Sequence, residues 1–118
     1  MSEHLRSEDE FLSLIDGLFP NRHPDLLLGR GDDAAVIRHH HDTCVTADLF
    51  LEGVHFRTAY FSPREIGRKA LAVNISDIAG MGGAPLGFTM DLMLPGNLDE
   101  DFLNRFFKGM AILARQHD

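Results

Sequence analysis

The sequence predicts a single α/β domain, of the α+β kind, built from three helices and several short apolar strands. The chain has 118 residues, 44% of them hydrophobic, which is enough for one core and too short for a second complete domain. Apolar residues have helical spacing in three segments and alternate with polar residues in the segments between them. No repeat or flexible linker separates these elements.

Charge and cysteine content limit the partners and the compartment. The formal net charge is -7 and the 11 Lys and Arg residues are scattered, whereas a nucleic-acid surface needs clustered basic residues. The single cysteine, Cys44, allows no internal disulfide, so we expect a reducing, cytoplasmic setting. The N-terminus lacks a signal-peptide pattern and no apolar run has the length of a membrane span. We therefore expect a protein that binds neither nucleic acid nor membrane.

The first helix is predicted over residues 7–18, followed by a glycine loop. Ser7 and Glu10 form a capping-box pattern, and the apolar residues after them have helical spacing. The segment Gly29–Asp33 then contains two glycines and two acids. The glycines allow the backbone to approach a ligand, and the two acids are suitable ligands for a divalent cation. An ordinary Asp-Gly turn is the alternative interpretation.

A short apolar strand is predicted at Ala34–Arg38, and three consecutive histidines follow it at 39–41. Adjacent side chains of an extended segment point to opposite faces, so the three rings do not converge on one ion. We therefore interpret the histidines as a solvated loop between two strands.

The segment Cys44–Leu51 has the best strand pattern in the chain. Thr46 and Asp48 share one face of it. A hydroxyl and a carboxylate at this spacing, with the main-chain carbonyl of Ala47 between them, are suitable donors for a hard cation. A partly exposed edge strand, whose polar residues face water, is the alternative interpretation.

The segment 52–56 leaves this strand through a turn. Gly53 indicates a bulge or a turn that orients His55. A histidine in this position is often structural; its functional interpretation is donation of a hydrogen bond to a phosphate or a ring.

A long helix is predicted from Pro63 to about Met81, with Ser62 as its cap. Because it is apolar over much of its circumference, we expect it to be buried between a sheet and a second element. Asp77 and Asn74 are then expected to line a polar site, since a buried carboxylate needs a partner. Lys69 is either a phosphate ligand or a surface lysine whose stem covers apolar groups.

The last elements carry no evident chemistry. After the glycines that end the long helix, Leu86–Leu94 is predicted to form a strand. Asn97 and Glu100 cap a final amphipathic helix. The chain ends at Asp118 directly after this helical pattern, which we interpret as a cut inside a larger architecture.

Several motifs follow one another in a fixed order along the chain. They are Gly31–Val36, Thr46–Asp48, Glu52–Phe56, Lys69–Ala79 and Met81–Gly82. Together they resemble the N-terminal domain of the thiamine-monophosphate kinase family, within the superfamily of aminoimidazole-ribonucleotide synthetase and selenophosphate synthetase. The glycine-valine-histidine-phenylalanine element favours the thiamine enzymes over the other members of this superfamily.

The resemblance implies an ATP-binding domain with a mixed sheet, helices on one face of that sheet, and strands that pair with those of a second copy. ATP and several magnesium ions are implied near the junction of this homodimer. Positions matching magnesium ligands of the family are Asp33, Thr46, Asp48 and Asp77, with Ala47 contributing through its main chain, and His55 matches a substrate contact. The roles of Asp32 and Lys69 stay open.

The implied reaction transfers the γ-phosphoryl group of ATP to the phosphate of thiamine monophosphate. Its products are thiamine diphosphate and ADP. Two anionic phosphates approach only when cations screen their repulsion, so a carboxylate-rich site is chemically coherent. No side chain is needed as a nucleophile, because the substrate phosphate is the nucleophile.

The chain also departs from the family pattern. Arg30 stands where the family usually has an apolar residue. Residues 1–118 correspond to one N-terminal domain cut before its last strand, with the C-terminal domain absent, so this piece alone is expected to have little or no kinase activity. The alternatives are another ATP-dependent member of the superfamily, such as a selenophosphate synthetase-like protein, and a non-catalytic dimerisation module.

Overall fold

A computed structural model of the chain describes residues 8–31, 34–94 and 100–117. Its elements are α1 (Glu8–Asp16), β1 (Leu26–Leu28), β2 (Val36–Ile37), α2 (Pro63–Gly80) and α3 (Glu100–Gln116). The chain divides into two compact units, with the boundary between Thr43 and Cys44. None of the described helices is long and apolar enough to cross a membrane. The structure is thus small and of the α+β class.

The N-terminal unit contains α1 and an antiparallel pair of short strands. Leu26 pairs with Ile37 and Leu28 with Val36, with an irregularity between the two pairs. The predicted strand at 34–38 is therefore confirmed in the shorter form of β2. The predicted first helix is also confirmed, although it ends at Asp16 and its predicted cap, Ser7, lies outside the described residues.

The C-terminal unit is built on α2, whose start follows the predicted capping box. The Glu65 backbone N–H donates to the Ser62 hydroxyl at 3.2 Å, and the Ser62 backbone N–H donates to the Glu65 carboxylate at 3.4 Å. Pro63 occupies the first turn, where its missing N–H removes no intrahelical hydrogen bond. The cap fixes the direction in which α2 leaves the preceding turn.

Helices α2 and α3 approach so closely that their backbones are in contact. A Cβ placed on Gly67 of α2 would overlap the carbonyl oxygen of Phe106, and a Cβ placed on Gly109 of α3 would overlap the carbonyl oxygen of Arg64. Each helix therefore supplies a glycine where the other supplies a carbonyl group. Contacts of this kind are available only to residues without a side chain.

Apolar side chains on both sides of this crossing form the core of the C-terminal unit. The buried residues are Ile66, Leu71, Leu103, Phe107, Met110, Ala111 and Leu113. Complete burial of a large apolar side chain contributes about 1.5–3 kcal/mol, so a few of them stabilise the helix pair strongly. The amphipathic pattern of the last helix is confirmed, since most of these residues belong to α3; its predicted cap, Asn97, lies outside the described residues.

The predicted burial of the long helix is wrong in extent. Only Ile66, Gly67 and Leu71 of α2 are buried, and Asp77 is exposed. The apolar residues around the helix axis predicted a partner on more than one side. Among the described residues α3 packs on one side, toward the N-terminal half of α2, and no residue of the C-terminal half is fully buried.

Two predicted strands, Cys44–Leu51 and Leu86–Leu94, are wrong for the described chain. Both segments lie outside the β-ladders of the described residues, and the only sheet there is the two-stranded β1–β2 pair rather than a larger mixed sheet. Alternation of side chains predicts an extended segment with two faces, but a strand also needs a hydrogen-bonded neighbour. Their apolar side chains are accordingly exposed, with Val45 at 84% and Met93 at 98%.

The glycine crossing predicts a large effect of Gly109→Ala. The added methyl group would push α3 away from α2, and overpacking of this kind costs about 1–3 kcal/mol in the free energy of unfolding. Urea denaturation measures the loss. Gly80→Ala is the matched control, because a Cβ there meets nothing within 4 Å, and alanine is the better helix former. Equal stability of the two variants would contradict the crossing.

Candidate functional site

Thr46 and Asp77 come together although 31 positions separate them in the chain. The Thr46 hydroxyl donates to the Asp77 carboxylate, with 3.3 Å between Oγ1 and Oδ2. Asp77 lies in the C-terminal half of α2, and Thr46 lies in the extended segment that opens the same compact unit. The fold thus brings together two of the positions that the family resemblance implies as magnesium ligands.

The two oxygen atoms fit the geometry of a hard-cation site. Adjacent ligands in an octahedral magnesium site lie about 3 Å apart, because each Mg–O distance is about 2.1 Å. The Thr46–Asp77 oxygen distance is close to this edge length. Hydroxyl and carboxylate oxygens are also the donor types that magnesium prefers, and an exposed site leaves room for water ligands and phosphate oxygens. The donor types and the spacing of this hydrogen-bonded pair are therefore compatible with a magnesium ligand pair.

The negative charge of this region has no basic partner in the described part of the chain. Asp48 and Asp77 are exposed, and neither forms an ion pair with a described Lys or Arg. No group of three or more His, Cys, Asp and Glu residues with metal-site geometry occurs among the described residues. Asp33, the remaining predicted acidic ligand, and its neighbour Asp32 lie outside them. The described part of the site is therefore a two-residue oxygen pair with Asp48 nearby in sequence.

The environment predicted for Asp77 needs two corrections. Asp77 is exposed, so avoidance of a buried unpaired charge is not the reason for its position. The Asn74 side chain donates to the Ala70 carbonyl oxygen at 3.1 Å, one helical turn earlier, instead of lining a polar site with Asp77. The partner of Asp77 is Thr46, and the two residues were linked beforehand only by the family resemblance.

His55 lies in a tight turn that begins at Leu51. Its backbone N–H donates to the Leu51 carbonyl oxygen at 2.9 Å, and the Gly53 N–H donates to the Phe56 carbonyl oxygen at 2.7 Å. Gly53 has a positive φ of 85°, which favours glycine, so the predicted turn is confirmed. The Phe50 ring stacks on both His55 and Phe56, at centroid distances of 5.9 and 4.8 Å. The imidazole is exposed but held by the main chain and by an aromatic ring.

In the N-terminal unit, the Asn21 side chain forms two hydrogen bonds with the main chain of Arg30 in the glycine loop, and we call this contact the Asn21 clasp. Its side-chain oxygen accepts from the Arg30 N–H at 2.8 Å, and its side-chain nitrogen donates to the Arg30 carbonyl oxygen at 3.2 Å. A Cβ on Gly29 would overlap this amide, which explains why glycine is needed there. The Arg30 guanidinium turns away to Asp16 and to the Phe19 carbonyl oxygen. This clasp was missed from the sequence because an asparagine nine residues away gives no local signal.

Two of the three histidines at 39–41, His39 and His40, contact different residues. The His40 ring lies 2.7 Å from the Asp25 carboxylate, and the His39 ring lies 2.7 Å from the Thr43 hydroxyl. All three histidines are exposed. This arrangement agrees with their interpretation as a loop whose side chains point in different directions.

Comparison with known proteins finds one family profile and several relatives that share a name. A family profile described as AIR synthase related protein, N-terminal domain, matches residues 31–118. The chain is similar to the thiamine-monophosphate kinase of Bacillus subtilis, with 42% identity over 111 residues that cover 91% of this chain and 34% of that protein. It is also similar to the thiamine-monophosphate kinase of Rhodopirellula baltica, with 32% identity over 119 residues, 93% of this chain and 37% of that protein.

A third relative is the thiamine-monophosphate kinase of Synechococcus elongatus, with 37% identity over 91 residues, 75% of this chain and 28% of that protein. The chain thus spans about a third of the length of the curated relatives it matches. No solved structure matches the chain.

The Asn21 clasp predicts that Gly29→Ala loosens the glycine loop. The methyl group would displace the Asn21 amide and break its hydrogen bond to the Arg30 N–H, a loss of about 1 kcal/mol. Amide hydrogen exchange at Arg30, followed by NMR, is therefore expected to be several-fold faster. Gly87→Ala is the control, because a Cβ there meets nothing within 4 Å. Unchanged exchange in the first variant would show that the clasp does not hold the loop.

Proposed function

The chain belongs to the family of AIR synthase related proteins, as an N-terminal domain of that family, and we propose that it is the ATP- and magnesium-binding part of a thiamine-monophosphate kinase. The observation that carries this proposal is the Thr46–Asp77 oxygen pair, at a distance suited to magnesium. The names of the relatives supply the substrate, since three of them in different organisms are thiamine-monophosphate kinases. A cytoplasmic location fits a soluble biosynthetic enzyme of this kind and is part of the proposal.

The proposed reaction is transfer of the γ-phosphoryl group of ATP to a phosphate oxygen of thiamine monophosphate. The bond between the β–γ bridging oxygen and the γ-phosphorus breaks, a new phosphorus–oxygen bond forms, and the products are ADP and thiamine diphosphate. Bound magnesium would neutralise charge on the phosphates and hold them for in-line transfer. The chain contributes oxygen donors for this purpose rather than a nucleophile.

Each proposed site residue has a separate task. Asp77 and Thr46 hold magnesium through their side chains, and Asp48, two positions after Thr46, adds a second carboxylate. The Ala47 carbonyl is proposed as a main-chain ligand, and Asp33 as a further carboxylate ligand. The carboxylates would hold the cations, and the cations would screen the repulsion between the two approaching phosphates.

His55 is proposed to contact the acceptor substrate. It is exposed, and its ring is oriented by Phe50 and by the turn at Gly53. An ordered ring with an exposed polar edge loses little conformational entropy when it binds, so it suits recognition.

We further propose that the protein works as a homodimer in which Cys44–Leu51 and Leu86–Leu94 become strands by pairing with a second copy. Both segments carry alternating apolar side chains that are exposed in the single chain, among them Leu49 at 74%. Exposed apolar surface of this extent is typical of an interaction site. Pairing with a second copy would cover this surface.

The kinase proposal is tested in the full-length protein with ATP, magnesium and thiamine monophosphate. Formation of thiamine diphosphate, measured by chromatography, is the expected result. Asp77→Asn removes one magnesium ligand charge and is expected to lower the rate at least a hundredfold while the unfolding midpoint stays nearly constant. Asp91→Asn, on another exposed acid, is the matched control and keeps its activity. If the Asp77 variant turned over normally, Asp77 would have only a structural role and would not be a magnesium ligand.

The dimer proposal is tested by sedimentation equilibrium. Leu49→Lys places a charge on the face proposed to pair and is expected to weaken the dimer at least tenfold. Ile112→Lys is the control, since this exposed apolar residue lies on α3, away from the two segments in sequence. A monomeric unmodified protein, or equal effects of both changes, would count against pairing through Cys44–Leu51.

A further inference from the structure

The turn that carries His55 also fixes the state of its ring. The Leu51 backbone N–H donates to His55 Nδ1 at 2.9 Å, while the His55 N–H donates to the Leu51 carbonyl oxygen. A backbone amide is always a donor, so Nδ1 must be the unprotonated nitrogen of a neutral imidazole. The ring proton is then on Nε2. Among the described residues no protein group pairs with Nε2, so this N–H is available to a ligand.

Lys69 holds the same turn from the side of α2. Its ammonium group donates to the His55 carbonyl oxygen at 3.2 Å and lies 5.4 Å from the centroid of the Phe61 ring. A hydrogen bond from a charged donor is stronger than one between neutral groups, and the ring adds a cation–π attraction. Both contacts use the charge of Lys69, although the residue is exposed.

The N-terminal half of α2, which carries Lys69, is anchored by its crossing with α3. Gly67, two positions earlier, sits at the contact with the carbonyl group of Phe106, and Ile66 is 2% exposed. The Lys69 backbone is therefore fixed by the helix crossing, and its side chain transmits that position to the main chain of His55. The turn has few buried side chains of its own, so this link to α2 restrains it.

We propose that Lys69 is a positioning residue: it holds the His55 turn on α2 and so keeps the imidazole as an Nε2–H donor toward a lone-pair acceptor of the phosphorylated substrate. The inference rests on the proposed function for the identity of that substrate. It assigns Lys69 a role in recognition of the acceptor substrate and separates it from the phosphates of ATP. The acceptor atom is either a phosphate oxygen or a ring nitrogen, because an N–H group recognises both.

The first test observes the ring itself, by nitrogen-15 NMR of the histidines in the full-length protein without substrate. We expect the Nε2-protonated form for His55 in the unmodified protein and a mixture of tautomers in Lys69→Met. Lys69→Arg keeps a cationic donor and should restore the single form. Lys108→Met, which removes an exposed lysine of α3, is the control and should change nothing. An unchanged His55 spectrum in Lys69→Met overturns the proposal.

The second test uses kinetics in the same variants. Lys69→Met is expected to raise the KM for thiamine monophosphate about tenfold, the size of one lost hydrogen bond, and to leave the KM for ATP within about twofold. Lys69→Arg should recover most of this loss. A rise in the KM for ATP alone would make Lys69 a nucleotide ligand and overturn the proposal.

Inhibition by thiamine identifies the acceptor atom. A higher inhibition constant for thiamine in Lys69→Met supports the proposal with a ring nitrogen as acceptor. An unchanged inhibition constant together with the raised KM for thiamine monophosphate supports it with a phosphate oxygen. If the unmodified protein forms no thiamine diphosphate, the proposed function fails, whereas the NMR result still decides whether Lys69 positions the His55 ring.

Discussion

The close crossing of α2 and α3 is the constraint on which the C-terminal unit depends. Gly67 and Gly109 each let the opposite helix backbone approach to contact, and this brings the buried faces of the two helices together. In a well-packed interior even one added methyl group lowers the free energy of unfolding, because the surrounding atoms cannot move apart without losing dispersion contacts. The position of α2 therefore depends on these two glycines as much as on the buried apolar side chains.

Helix α2 in turn relates the two parts of the candidate site. Lys69 contacts the His55 turn, and Asp77 contacts Thr46, eight residues further along the same helix. At about 1.5 Å per residue, these two positions lie about 12 Å apart along the helix axis. Helix α2 thus fixes the separation between the proposed substrate contact and the proposed metal ligand, and such a fixed separation suits the proposed phosphoryl transfer because small displacements of reacting groups are costly.

Local signals in the sequence were sufficient for the helices. Ser62 and Glu65 predicted the start of α2 because a capping box involves residues three positions apart, and the apolar spacing of α3 predicted its buried face. Partners distant in the chain left no such signal. The sequence did not indicate that Gly109 faces Arg64 or that Asn21 binds the main chain of Arg30. The predicted strands at Cys44–Leu51 and Leu86–Leu94 were wrong for the same reason, because alternation of side chains describes one segment and does not identify the strand that pairs with it.

Arg30 shows how a departure from a family pattern is accommodated. In the family that the chain resembles, this position between two glycines is usually apolar, and the sequence left the effect of an arginine on the loop open. Asn21, however, holds only the main-chain N–H and carbonyl groups of Arg30, so the clasp does not depend on which side chain stands there. The guanidinium leaves the loop and binds Asp16 and the Phe19 carbonyl oxygen within the same unit. The geometry of the loop is thus specified by Asn21 and Gly29, and the residue between the glycines is free to vary as long as its side chain can turn away.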